Sequence, residues 1–147
     1  MGSKSDLEVG KKCTLVLDAL GVTWEMHVAS AHRTPEDVER HVKESGASVF
    51  VGIAGVAAAL PGVIAAMTTN PVIGVPVSGK VPFDSLLSIV QMPPGVPVAT
   101  VGVDRGDNAG MLAAQMLALA DAKIATKVAD LRAVAAAKVR ADDASIQ

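Results

Sequence analysis

The sequence predicts an α/β domain, in which one parallel β-sheet is covered by helices on both faces. Segments with the apolar spacing of helices alternate with segments typical of strands along most of the chain. The predicted strands are continuous apolar runs, as expected for strands that are buried on both faces. Because ligands of such folds bind beyond the carboxyl ends of the strands, the loops at those ends are the places to search for a site.

The first elements each have a clear start or stop signal. Apolar residues recur on one side of Asp6–Leu20, which predicts a helix that ends at Gly21. A short strand is predicted at about Trp24–Ala29. Thr34-Pro35-Glu36-Asp37 then places a hydroxyl residue, a proline and two acids in the order that favours a helix start, and this helix should run to about Ser45.

Glycine and proline divide the apolar middle of the chain into elements too short to cross a membrane. The predicted elements from there onward are strand Val49–Ile53, helix Ala57–Met67, strand Pro71–Val75, helix Phe83–Val90, strand Val96–Val103 and helix Asn108–Ala120.

A last helix is predicted over Asp121–Ala141, where apolar residues keep an approximately helical spacing among lysines and arginines. It packs either on a neighbouring subunit or on its own domain. We therefore predict one α/β domain over residues 1–121, which binds the ligand, and a C-terminal amphipathic helix and tail over residues 122–147, expected on a neighbouring subunit.

The composition and the motifs argue against several classes of function, including nucleic-acid binding, membrane binding and metal binding. The 13 basic and 15 acidic residues leave a net charge of -2, so no overall field recruits nucleic acid or an anionic membrane. The single cysteine cannot form an internal disulfide, and the start shows no signal-peptide pattern, which favours the cytoplasm. Three separated histidines and one cysteine match no metal-binding spacing, and neither a Walker loop nor a GxGxxG motif is present.

Two loops carry residues that suit a phosphorylated ligand. In the first, the hydroxyls of Ser3 and Ser5 precede a helix start, and Asp6 suits sugar hydroxyls, although the same residues also suit a simple helix cap. In the second, His32 and Arg33 stand between a strand and a well-marked helix. Histidine exchanges protons near neutral pH and arginine binds phosphate with two N–H groups, but an incidental surface histidine is the alternative.

A third loop, Ala54–Gly62, is made of small residues that let the backbone approach a ligand. Close packing of a helix on a strand explains the same alanines. His27 and His41 fall within a strand and a helix, so each is interpreted as structural or exposed to solvent.

Six motifs together resemble one family of purine biosynthesis. They occur in the family's order across Met1–Asp121 and are MGSKSD, SAHRTP, AALPG, PVIGVPV, DSLLSIVQMPPGVPVATV and NAGMLAAQMLA. The family is that of 5-(carboxyamino)imidazole ribonucleotide mutase and the catalytic subunit of phosphoribosylaminoimidazole carboxylase. The resemblance implies an isomerase that moves the carboxyl group from the exocyclic nitrogen to the adjacent ring carbon, giving 4-carboxy-5-aminoimidazole ribonucleotide.

The resemblance also implies roles for particular residues. His32 would be the general acid and base, and no ATP, biotin, metal or other cofactor is implied. The partners would be the ribonucleotide, carbon dioxide and further copies of the chain, in a cytoplasmic homo-oligomer that the resemblance implies is an octamer. The substrate-binding residues would be Ser3, Ser5, Asp6, Ser30, Ala31, Arg33, Ala54, Gly55 and Ala57.

Alternatives to the mutase remain open. Ala59 stands where mutases commonly carry histidine before Leu-Pro-Gly, which is similar to the direct carboxylases, lyases that use aminoimidazole ribonucleotide and carbon dioxide. Arg33 after His32 is instead mutase-like, since the best-known carboxylases have lysine there. An inactive nucleotide-binding or assembly homologue is a second alternative, and a flavodoxin-like or Rossmann-like binder of another ligand is a third.

The family also places a core strand directly before its Gly-Ser-x-Ser-Asp loop, whereas this sequence begins at Met1-Gly2. We therefore expect either a sheet that lacks one strand or a start chosen late, and a weakened phosphate loop if the strand is missing. The segments Ser78–Phe83 and Asp104–Asp107 are expected to form shorter loops than in bacterial mutases, which would alter closure over the ligand.

Overall fold

Three parallel strands form the sheet in the order β1-β2-β3, and helices cover both of its faces. The computed structural model describes residues 1–81 and 83–146; Pro82, in the Ser78–Asp84 loop, and Gln147 lie outside them. After a 3-10 turn at Lys4–Asp6, the elements are α1 (Leu7–Leu20), α2 (Pro35–Glu44), β1 (Phe50–Ala54), α3 (Leu60–Met67), β2 (Val72–Pro76), α4 (Asp84–Val90), β3 (Ala99–Thr100), α5 (Gly106–Ala118) and α6 (Ala122–Ser145). The predicted three-layer α/β fold with a C-terminal helix is confirmed.

The central strand β2 divides the aliphatic core into two layers. Ile73 and Val75 are fully buried on the side of α1 and α5, whereas Val72 packs with Ile89 and Ile64 on the side of α3 and α4. Successive side chains of a strand point to opposite faces, so a continuous apolar run supplies both layers.

Helices α1 and α5 approach each other closely through two glycines. A Cβ atom on Gly106 would lie 1.9 Å from the Val9 carbonyl oxygen, and one on Gly110 would lie 2.6 Å from the Cys13 carbonyl oxygen. Both distances are far below van der Waals contact with backbone that cannot turn aside. The two helices therefore pack at a distance that no residue with a side chain allows at these positions.

Two predicted boundaries and one predicted helix cap are wrong, each for a local reason. α3 begins at Leu60 rather than Ala57, because the backbone of Ala58 is left-handed, with φ of 41°. β3 is confined to Ala99–Thr100, as Pro97 has no N–H to donate to a ladder. Thr34 precedes α2 but does not cap it, since its hydroxyl accepts the Ser30 N–H at 2.9 Å.

The predicted strand at Trp24–Ala29 is not formed in the described chain. Met1 bridges to this segment in the manner of a parallel strand, donating its N–H to the His27 carbonyl at 2.8 Å and accepting the Ala29 N–H at 3.0 Å. On its other side, Gly2 donates to the Ile53 carbonyl of β1 at 3.0 Å. Beyond these hydrogen bonds of Met1 and Gly2, no described residue lies between the Trp24–Ala29 segment and β1 to continue a β-ladder.

A cavity of about 710 Å³, hereafter the β1 cavity, separates Val22–His27 from Val49–Val51. Helix α1 lines one face with Cys13 and Leu17, and α3 lines the other with Leu60 and Ile64.

The first half of α6 packs on its own domain. Val128 is buried against Leu20 and Ala114, and the Lys127 ammonium donates to the Leu20 carbonyl at 3.0 Å. In the second half, Val134 and Val139 are about two-thirds exposed, at 67% and 68%. Own-domain packing therefore accounts for the start of this helix alone. No helix in the described ranges is both long and apolar enough to cross a membrane.

Candidate active site

The Gly2–Asp6 loop turns the chain from the end of the sheet into α1. Ser3 accepts the Ser5 N–H on its hydroxyl at 3.3 Å, and the Ser5 hydroxyl donates to the Asp6 carboxylate at 3.0 Å. Asp6 is buried, with 6% of its surface exposed. The loop thus presents hydroxyls and a fixed carboxylate at the positive end of the helix dipole, where an anionic or hydroxyl-rich ligand is favoured.

Arg33 ties a second loop to this one. Its guanidinium donates to the Gly2 carbonyl at 3.0 Å and to the Ser30 hydroxyl at 3.2 Å, and the same hydroxyl accepts the Arg33 backbone N–H at 3.3 Å. Most of the side chain is exposed, so the guanidinium keeps N–H groups available to a ligand. The structure brings together Ser3, Ser5 and Asp6 with Ser30 and Arg33.

His32 lies at the tip of the turn closed by the Thr34 N–H and the Ser30 carbonyl, 2.9 Å apart. It is exposed, and among residues 1–81 and 83–146 no group hydrogen-bonds its imidazole. Ala31 beside it is half-buried and packs against the layer of α2 and α3. The turn therefore holds the backbone of His32 while both ring nitrogens stay open to a ligand.

The loop after β1 carries the remaining predicted residues. Ala54 is buried and lies next to Gly2, Gly55 is half-buried and Ala57 is exposed. Val56 and Ala58 have positive φ values of 57° and 41°. A left-handed β-branched residue is strained, and such strain concentrates at functional sites. The sequence did not predict the left-handed backbone of Val56, because valine gives no signal of a left-handed turn.

The loops after β2 and β3 are tied to each other. The Ser78 N–H donates to the Asp104 carboxylate at 2.9 Å, and Asp104 also has positive φ, 59°. Its carbonyl accepts the Lys12 ammonium at 3.3 Å. The sequence pointed to both loops but gave no sign of this link, which joins residues 26 positions apart.

Burial lowers the pKa of one group beside the site and of one histidine away from it. Burial lowers the pKa of the Met1 α-ammonium, and the Asp6 carboxylate partly opposes that shift. Away from these loops, His27 stacks on His41 with ring centroids 3.9 Å apart, and desolvation followed by the neighbouring His27 lowers the pKa of His41. The two histidines are thus partners of each other. In the described ranges no three His, Cys, Asp or Glu side chains are placed to hold a metal ion.

Known proteins resemble this chain along its whole length. The AIR carboxylase family model matches residues 1–138. The N5-carboxyaminoimidazole ribonucleotide mutase of Methanocaldococcus jannaschii is 55% identical over 148 aligned positions, which cover 100% of this chain and 94% of the relative. A probable mutase of Methanothermobacter thermautotrophicus is 46% identical over 99% of this chain, which spans 45% of that longer protein. The crystal structure of Treponema denticola PurE superposes with a TM-score of 0.91 at 30% identity, covering 100% of this chain and 95% of that one.

Proposed function

The chain belongs to the AIR carboxylase family, and from this membership we propose that it isomerises 5-(carboxyamino)imidazole ribonucleotide in purine biosynthesis. The resemblance predicted from the six motifs is confirmed. The product is 4-carboxy-5-aminoimidazole ribonucleotide, and His32 carries the proton transfers. One observation supports this placement of His32 most directly: the adjacent Arg33 reaches the Gly2 carbonyl at 3.0 Å, so the turn that holds His32 is anchored to the Gly2–Asp6 loop.

The reaction needs one proton carried in each direction. The bond between the exocyclic nitrogen and its carboxyl carbon breaks, carbon dioxide leaves, and His32 gives its proton to that nitrogen. The adjacent ring carbon then attacks the same carbon dioxide, and the proton displaced from the ring carbon returns to His32. A group with a pKa near the working pH suits both steps.

Binding of the ribose phosphate is assigned to the Gly2–Asp6 loop and the Ser30–Thr34 turn, hereafter the linked loops, which the Arg33 side chain joins. Ser3, Ser5 and Ser30 offer hydroxyl hydrogen bonds, and Arg33 offers a paired N–H fork to phosphate oxygens. The buried carboxylate of Asp6 accepts from sugar hydroxyls. Ala31, Ala54, Gly55 and Ala57 line the approach with small side chains, which leaves room for the ring and for carbon dioxide between the two steps.

A paired assay distinguishes the mutase from a direct carboxylase. We expect purified protein to form product from the carboxyamino substrate without added bicarbonate, since Arg33 and the 55% identical relative both favour the mutase. Aminoimidazole ribonucleotide with bicarbonate, at matched enzyme concentration, is the second arm. Product from this arm alone would assign the chain to the carboxylases, the alternative that Ala59 favours. Binding of the ribonucleotide with no turnover in either arm would identify an inactive homologue.

A symmetric homo-oligomer, an octamer by the family resemblance, is part of the same proposal. Apolar side chains are exposed on α4 and the loop before it, where Val81, Phe83, Leu87 and Val90 are 50–65% exposed. The second half of α6 adds Val134 and Val139. Patches of this kind on a small domain are typical of subunit contacts. A cytoplasmic location completes the proposal, because a phosphorylated substrate does not cross membranes unaided.

Truncation after Ala133 tests the assignment of the tail to a neighbouring subunit. The cut removes the exposed second half of α6 and keeps Val128, Leu131 and their contacts with Leu20. We expect the particle to become smaller by whole subunits in light scattering, with a circular dichroism spectrum that loses only the helical signal of the deleted residues. A matched control, Val134→Ser with Val139→Ser in the full chain, should weaken the assembly in the same direction. An unchanged number of subunits in both variants would assign the tail to its own domain.

A further inference from the structure

The peptide that joins Val77 to Ser78 is held from three directions where the loop after β2 begins. The Val77 N–H donates to the Ala54 carbonyl at 2.9 Å, and the Val77 carbonyl accepts the O–H of the buried Ser85 side chain at 2.8 Å. The Ser78 N–H donates to the Asp104 carboxylate at 2.9 Å. Asp104 therefore supplies the charged acceptor among these three hydrogen bonds, and it comes from the loop after β3.

This peptide borders the loop that the family resemblance assigns to the substrate. A Cβ atom on Gly55 would lie 3.5 Å from both the Cβ atom and the carbonyl oxygen of Val77, which is ordinary van der Waals contact. Gly55 follows Ala54, and both belong to the predicted substrate-binding residues. The Val77–Ser78 peptide thus lies against the small residues beside which carbon dioxide has to stay in the proposed reaction.

The local backbone gives no reason for an aspartate at Asp104. The residue is third in the turn that the Arg105 N–H closes onto the Gly102 carbonyl at 3.1 Å, and its φ of 59° is left-handed. Glycine adopts this conformation without strain, whereas aspartate only tolerates it. The neighbouring Arg105 pairs with Asp107, which leaves the Asp104 carboxylate to Ser78. What the side chain of Asp104 adds is therefore the hydrogen bond to the loop after β2.

The backbone of Asp104 is fixed independently of its side chain. Its N–H donates to the Pro76 carbonyl at the end of β2 at 2.9 Å, and its carbonyl accepts the Lys12 ammonium at 3.3 Å. Neither bond uses the carboxylate. A substitution that keeps the positive φ therefore removes the bond to Ser78 and leaves the turn in place.

We propose that Asp104 is a positioning residue that keeps carbon dioxide in the site by holding the Val77–Ser78 peptide against Gly55. The inference rests on the proposed function, since it concerns the interval between the two steps. In that interval the bond to the carboxyl carbon is broken, the exocyclic nitrogen holds the proton given by His32, and carbon dioxide is free. If the peptide moves away, carbon dioxide escapes and aminoimidazole ribonucleotide is released in place of the carboxylated product.

Asp104→Gly tests the proposal, because it removes the carboxylate and suits the positive φ. Its melting temperature should stay within about 5 °C of the wild type. With the carboxyamino substrate, the ratio of released aminoimidazole ribonucleotide to carboxylated product should rise by about tenfold, the factor that one hydrogen bond to a charged group represents. KM should stay within about twofold, since the phosphate-binding groups of the linked loops are untouched.

Chromatography of quenched reactions measures both ribonucleotides. An enzyme-free blank is subtracted, because carbamates lose carbon dioxide in water unaided. The ratio of two products made by the same active molecules does not depend on how much of the protein is folded. It therefore distinguishes a positioning role of Asp104 from a role in stability alone.

Two matched variants complete the test. Asp104→Asn keeps an acceptor oxygen for the Ser78 N–H and tolerates positive φ, so its ratio should lie within about threefold of the wild type. Asp107→Ala removes the nearby carboxylate that pairs with Arg105 and should leave the ratio unchanged. Equal ratios in the glycine and asparagine variants would overturn the proposal, as would an equal rise in Asp107→Ala. A wild type that forms no carboxylated product is a different result, which overturns the proposed function and this inference with it.

Discussion

His32→Asn is expected to lower kcat by about 10²–10⁴-fold with the carboxyamino substrate, the range that general acid and base groups contribute. Asparagine keeps a similar size and some hydrogen bonding but carries no titratable proton. His32 makes no hydrogen bond within the described ranges, so its removal leaves the Ser30–Thr34 turn intact. Initial rates at saturating substrate measure the effect.

His41→Asn is the matched control for this substitution. His41 is a histidine of α2 that stacks on His27 and takes no part in the linked loops, so its replacement should leave kcat within about twofold. The pH profile adds a second test, because a lost acid and base group removes its limb from the profile of kcat. Near-normal kcat in a folded His32→Asn protein would contradict the assigned role.

Arg33→Ala is expected to raise KM by about tenfold to a hundredfold, with a smaller change in kcat. A hydrogen bond to a charged group contributes about 1.5–3 kcal/mol, and each 1.4 kcal/mol is a factor of ten in binding. The variant also loses the bond to the Gly2 carbonyl, which loosens the loop of Ser3 and Ser5. KM for the ribonucleotide and the inhibition constant of inorganic phosphate measure the loss.

Two further variants distinguish the contribution of the paired N–H groups of Arg33 to substrate binding from the contribution of its charge. Arg33→Lys keeps the charge but lacks the planar fork of paired N–H groups, so its KM should lie between those of the wild type and the alanine variant. Arg40→Ala removes an exposed arginine of α2 that pairs with Asp37, and should leave KM unchanged. An unchanged KM in Arg33→Ala, with phosphate inhibition intact, would contradict the assignment of the phosphate site.

Elements with a strong apolar pattern and a clear start or stop signal were the most predictable part of the fold. β2 follows from the apolar run that begins at Pro71. α1 follows from its apolar side and from Gly21, which ends it with a φ of 69°. Trp24–Ala29 has the same local pattern but forms no strand, because a strand depends on neighbours that local sequence does not describe. Thr34 failed as a cap since the competing Ser30 N–H comes from the preceding loop.

The candidate site was predictable in its residues but not in its connections. Residue chemistry and the family resemblance pointed to the loops of Ser3 and His32, and the fold places the first of them beside Ser30 and Arg33. The bond from Arg33 to Gly2 spans 31 residues, and the strained φ of Val56 is imposed by the loop's surroundings. Neither follows from local preferences, as both arise only when separate elements pack together.

Trp24 gives this protein an optical property of practical use. The chain has one tryptophan and no tyrosine, so a single indole ring supplies nearly all of its near-ultraviolet absorbance and emission. That ring lines the β1 cavity, is 42% exposed and donates its N–H to the Asp18 carboxylate at 2.7 Å. Emission from the unlabelled protein therefore reports on the cavity, whereas the loops of His32 and Asp6 contain no fluorophore. Changes at the cavity can thus be followed separately from changes confined to those loops.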